Sequence, residues 1–166
     1  MRFSLRLPAA MDMFVVTTVG RTVVGLLSAF LLGELAFLAY SVSVPPFSGL
    51  SIQTFAVVNS MAFAVVIGTG LAFYKWEAEW QPRLIMLGLI VIGAFVGGWI
   101  GYDYGFDIGI EKIKAEYGRI PGGEIRFPTH DGIRASLAFG ILSANALAVS
   151  YHAWRLFRSE HPSENW

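Results

Sequence analysis

Three carboxylates recur at every fourth position of one segment, at Asp103, Asp107 and Glu111. Residues four apart lie on the same face of an α-helix, so this spacing would place the three side chains in a row. A row of carboxylates attracts basic side chains, whereas a hard divalent cation needs more oxygen ligands than one helical face supplies. We therefore expect no metal site. The row is either a solvated surface, paired partly with Lys114 and Arg119, or a face that recognises a basic partner.

Glu34 is the other carboxylate that could do chemistry, because it interrupts the apolar sequence LLGELAF. An ionised carboxylate in hydrocarbon is costly, so such a group faces the interior of a helix bundle, finds a partner, or stays protonated. The sequence places Glu34 near the middle of the membrane with no Lys or Arg at that depth. The possible hydrogen-bond donors are Asn59, Ser60 and Asn145. Glu34 is either an ion or proton site or a clamp between helices, and Asn59 and Asn145 are expected to be interhelical hydrogen-bond donors.

The helices that position these residues are predicted from four long stretches of sequence that carry few charges. Because a spanning helix needs ~20 mainly apolar residues, we place the four spans at about 22–44, 54–74, 84–102 and 133–154. The chain is 55% hydrophobic and only 14% charged, whereas about 25% of an average soluble domain is charged. The sequence therefore predicts an all-α integral membrane protein, built as a four-transmembrane-helix bundle.

The third stretch is expected to continue as a helix beyond the membrane. Apolar residues keep a helical spacing through the charged segment that follows it, at Phe106, Ile110, Ile113 and Tyr117. Gly118 suits the C-terminal cap of this helix. Residues 103–131 are therefore an extramembrane extension and loop, with an irregular return through residues 123–130 and an N-cap for the fourth helix at Thr129 or Asp131.

The distribution of basic residues predicts that both ends of the chain are cytoplasmic. Seven Lys and Arg residues lie on that side and five on the other, and the positive-inside rule favours the more basic side. Residues 1–20 are interpreted as an arm whose part from about Met11 either lies at the membrane surface or extends the first helix. Residues 21–154 form the transmembrane domain, and residues 155–166 form a cytoplasmic tail.

A stripe of glycines runs through the third helix and its extension. Its members are spaced by four residues, at Gly93, Gly97, Gly101, Gly105 and Gly109. In lipid, helices associate by close van der Waals packing, so small residues at this spacing let two backbones approach. The stripe is interpreted as packing within this chain, as a docking groove for another subunit or a second copy, or as a ligand pocket.

Composition excludes several classes of function. The chain has no cysteine, which excludes disulfides, thiolate metal sites and thiol catalysis. Its net charge is zero, so nothing indicates a nucleic-acid partner. No nucleotide-binding, metalloprotease or hydrolase motif is present, and no catalytic residue or cofactor is indicated.

These features favour a small accessory or assembly subunit of a larger membrane complex that docks through the glycine-rich helix. The expected partners are the lipid bilayer and other membrane subunits or copies of the chain. The alternative is a small oligomeric transporter or ion-conducting protein that uses Glu34. A membrane enzyme acting on lipid or quinone is the third hypothesis, and the sequence favours it least.

Overall fold

Four long helices make up the part of the chain that the computed structural model describes, residues 9–43, 52–74, 80–118 and 126–160. They are α1 (Ala9–Ser43), α2 (Ile52–Phe73), α3 (Trp80–Tyr117) and α4 (Arg126–Glu160). Each contains a segment long and apolar enough to cross a membrane. The predicted all-α class and the four spans are confirmed at this level, and they suggest a multi-pass membrane protein.

The first and last helices of the chain, α1 and α4, begin earlier than the predicted spans. Because α1 starts at Ala9, the segment from Met11 extends the first helix. Because α4 starts at Arg126, the irregular return predicted for residues 123–130 is wrong from that residue onward. A proline is tolerated in the first turn of a helix, where its missing N–H would have no intrahelical partner, and Pro128 lies in that turn.

The predicted caps have different outcomes. Gly118 has a φ of +68°, and its N–H donates to the Lys114 carbonyl at 2.9 Å. This is the left-handed glycine cap that the sequence predicted for the end of α3. Thr129 and Asp131 lie inside α4, so neither is its N-cap.

The helices form two antiparallel hairpins that pack against each other. The most extensive interhelical contacts join α3 to α4, followed by those between α1 and α2. Helix α2 also touches α3 and α4, and α1 touches α4, whereas α1 and α3 do not meet within the described residues. The core draws side chains from all four helices, and its largest buried side chains include Tyr102, Met61, Ile90 and Ile133.

The two helices of each hairpin meet through the same kind of contact. A glycine of one helix packs against a Ser-Ala pair of the other. Gly68 of α2 lies on the backbone of Ala29, and Gly93 of α3 lies on that of Ala144. The preceding serine completes each contact, because its hydroxyl donates to the glycine carbonyl at 2.6 Å. The serine lies on the first helix of one hairpin and on the second helix of the other, so a tandem repeat does not explain the similarity.

Candidate functional site

The glycine stripe of α3 is covered by α4 along its whole length. All five of its glycines are buried. A Cβ atom at Gly101 would lie 2.6 Å from the Ala135 carbonyl oxygen, and one at Gly109 would lie 2.6 Å from the Pro128 Cα. A Cβ at Gly97 would overlap the Ser143 hydroxyl. The stripe therefore lies inside the hairpin, and a partner that docks on α3 must use another face.

The carboxylate row occupies the opposite face of α3. Each member follows a stripe glycine by two residues, and two residues turn a helix by about 200°. Asp103, Asp107 and Glu111 are all exposed, so they point away from α4. Within the described residues, no group of three His, Cys, Asp or Glu side chains is arranged to hold a metal ion.

The ion pair nearest to this row differs from the one expected. Lys112 donates to Asp131 of α4 at 3.2 Å, whereas Lys114 is exposed. Arg119, the other expected partner, lies outside the described residues. The three carboxylates of the row therefore have no described ion pair and present their charge to the surroundings.

Glu34 lies within the apolar span of α1, Val16–Ala39. The helix itself continues beyond this span, to Ser43. That Glu34 lies at mid-depth in the membrane stays a prediction.

Contacts with α4 show what lies level with Glu34. Gly33 packs against Leu137, and the Phe37 ring lies 6.3 Å from that of His130. Arg134 lies between those two α4 residues, so a basic residue is present at the level of Glu34, contrary to the sequence-based expectation. The Glu34 side chain is half-buried and makes no hydrogen bond or ion pair among the described residues.

The polar residues proposed as partners of Glu34 bond elsewhere. Asn145 donates to Thr69 at 3.2 Å, which is the expected bond between helices. Asn59 donates to the Phe55 carbonyl at 2.8 Å, within α2 itself, and Ser60 is exposed. The interhelical role predicted for both asparagines is therefore observed for Asn145 alone.

A cleft at the end of the bundle opposite the carboxylate row is lined by several basic residues. In the sequence these residues served only to predict which side of the membrane the chain ends face. Three helices each supply one arginine, and aromatic side chains and a histidine complete the rim. Its principal residues are Arg21, Arg83, Arg155, Tyr74, Tyr151 and His152. The sequence did indicate that all three arginines lie on the predicted cytoplasmic side. It does not show how the helices align, so it could not predict that the three side chains lie around one cleft. We call this site the arginine cleft.

No protein-family model, curated protein or solved structure matches the chain. The function must therefore be argued from the geometry. That geometry consists of an acidic face on the extension of α3, an apolar body, and a basic cleft at the opposite end.

Proposed function

We propose that the protein is a small accessory or assembly subunit of a larger membrane protein complex. The observation that carries this proposal is the division of α3 into two faces. Its glycines fix the helix to α4, and its carboxylates, on the opposite side, are left exposed. A helix held rigidly on one face can present the other face to a partner at little cost in conformational entropy.

The lengths of the helices support a docking arm outside the membrane. Helix α3 has 38 residues, or about 57 Å at 1.5 Å per residue, and the hydrocarbon core is only ~30 Å thick. The part of α3 in excess of this thickness carries the carboxylate row. Helix α4 packs alongside that part as far as the contact between Gly109 and Pro128. The extension is thus a two-helix arm rather than a single exposed helix.

The charge of the arm favours a basic partner over a second copy of the chain. In a two-fold symmetric dimer the same patch contacts itself, so the carboxylate row would face another carboxylate row. Like charges placed opposite each other cost binding energy. The proposed partner is therefore another membrane subunit that offers Lys or Arg side chains to the row.

Co-purification of single-charge variants tests this role. We expect Asp107→Asn, in the middle of the row, to lower recovery of the partner on gentle extraction. Glu116→Gln is the matched control, since it also removes one exposed carboxylate but lies outside the row. Equal recovery with both variants would contradict docking through the row, provided that circular dichroism shows both proteins to be equally helical.

The half-buried position of Glu34 supports a competing proposal, an oligomeric ion-conducting protein. A membrane carboxylate without a described partner is a functional candidate by default. Loss of ion flux in liposomes for Glu34→Gln, with the helix content unchanged, would favour this proposal over the accessory role. Unchanged flux, or no flux from the wild-type protein, would count against it.

A further inference from the structure

The arginine cleft concentrates positive charge that nothing in the described part of the chain neutralises. Arg21, Arg83 and Arg155 come from three different helices, and none of them forms a described ion pair. The segment that joins α2 to α3 lies outside the described residues. Because opposite charges attract, an anion bound among these three guanidinium groups would be attracted by all of them.

Arg83 carries the clearest sign of a missing acceptor. Its Nε atom is buried and has no hydrogen-bond partner. The guanidinium carbon lies 5.6 Å from the centroid of the Tyr74 ring, within the range of a cation–π contact. The ring therefore fixes one face of the guanidinium, while its N–H groups are left to bind an acceptor. A buried donor without a partner is unfavourable, and an oxygen atom that accepts its hydrogen bond would remove that cost.

The dimensions of the cleft limit the kind of anion it can take. The cleft is partly open and has a volume of about 30 Å³, which is room for roughly two water molecules. A nucleotide or another large soluble anion would not be enclosed. A compact oxyanion that reaches in from the mouth would place its oxygen atoms at the arginines, and a phosphate group meets this requirement.

An apolar groove leads away from the same arginine. This groove is shallow and largely open, runs between α1 and α2, and has a volume of about 370 Å³. Its lining residues are Thr17, Gly20, Arg21, Val24, Leu71 and Ala72. A Cβ atom on Gly20 would meet nothing within 4 Å, so the groove is open there. Arg21 lines both the groove and the cleft, so a ligand with a phosphate and an alkyl chain could occupy both.

We infer that the arginine cleft binds the phosphate group of an anionic phospholipid, with an acyl chain in the groove between α1 and α2. Basic pockets between membrane helices on the cytoplasmic side commonly bind anionic head groups. Tyr151 and Trp154 stack near the cleft with ring centroids 5.8 Å apart, and such aromatic residues favour the head-group level. This inference is independent of the accessory role, because it concerns the opposite end of the bundle.

Native mass spectrometry of the full-length protein from nanodiscs tests the site. Discs would contain phosphatidylcholine with phosphatidylglycerol, and retained lipid would be counted on the released protein. We expect preferential retention of phosphatidylglycerol, and an affinity about fivefold lower for Arg155→Gln or Arg83→Gln, the usual contribution of one basic residue near a membrane surface. Arg83→Lys should recover only part of the affinity, because lysine keeps the charge but lacks the planar fork.

Two matched controls separate the site from general effects. Arg134→Gln removes the same charge from an exposed position at the other end of the bundle and should leave retention unchanged. Gly20→Leu should lower retention by filling the groove, whereas Gly88→Leu, where a Cβ also meets nothing within 4 Å, should not. Equal loss with Arg134→Gln, or equal retention of the two lipids by the wild type, would overturn the inference.

A second experiment distinguishes binding of a lipid from binding of free phosphate. The protein in phosphatidylcholine discs would be mixed with inorganic phosphate, and its thermal unfolding compared with that in discs containing phosphatidylglycerol. Stabilisation by the lipid alone, lost in Arg83→Gln, supports the inference. Equal stabilisation by inorganic phosphate would overturn the assignment to a lipid.

Discussion

At the residue scale, one segment of α3 performs two tasks because glycine and carboxylate alternate by two positions. The glycines let the α4 backbone approach, and the side chains two residues later point the opposite way. Gly101 and Asp103 illustrate the division, since the first is buried against Ala135 and the second is exposed. Sequence reasoning found both patterns but could not assign the glycine face to α4, because residue spacing does not identify which helix covers a face.

A substitution in the stripe should be far more costly than the same substitution outside it. We expect Gly101→Ala to lower the free energy of unfolding by about 1–3 kcal/mol, the usual cost of overpacking, because its Cβ would lie 2.6 Å from both Ala135 O and Phe139 Cβ. Gly88→Ala should leave stability unchanged or raise it by up to ~1 kcal/mol, the helix-propensity difference between the two residues, since its Cβ meets nothing within 4 Å. Unfolding in mild detergent measures both, and equal stability would show that the α3–α4 contact is looser than described.

At the scale of the helices, the sequence predicts where helices form more reliably than it predicts which residues of neighbouring helices lie side by side. The apolar stretches are long enough to span, the periodicity of α3 persists past its span, and Gly118 ends it as expected. Glu34 shows the limit, because residue spacing does not identify the α4 residues that lie beside it. The arginine cleft is a second case, since it exists only through the alignment of three helix ends.

The two-helix arm should depend on its buried contacts rather than on its ion pair. Ile113 is 6% exposed, and truncating a buried isoleucine costs about 2–5 kcal/mol. The Lys112 side chain is 66% exposed in its pair with Asp131, and such surface pairs contribute at most ~1 kcal/mol. We expect Ile113→Ala, but not Lys112→Ala, to speed amide hydrogen exchange across residues 103–117. Equal exchange in the two variants would contradict the described packing of the arm.

At the scale of the whole molecule, two oppositely charged ends define a direction for the chain in a membrane. The carboxylate row lies on the extension of α3, and the arginine cleft lies at the opposite end of the bundle. The positive-inside rule would place the cleft in the cytoplasm and the arm outside. The proposed accessory role and the proposed lipid site therefore concern different surfaces, at opposite ends of the bundle.

Single cysteines test this orientation without interference, because the chain has none of its own. We expect a membrane-impermeant thiol reagent added outside intact cells to label Glu116→Cys, at an exposed position of the arm. Ser159→Cys, near the end of α4, should react only after the membrane is permeabilised. Labelling of Ser159→Cys from outside would reverse the orientation and, with it, the side on which a partner meets the arm.

The mass and composition of the complex extracted gently from its native membrane test the central claim most directly. The accessory role predicts a stable assembly in which this chain is present in fixed ratio with at least one different membrane subunit. The carboxylate row would then be the first surface to map against that subunit. A lone monomer, or an assembly of this chain alone, would contradict the accessory role and direct attention to Glu34.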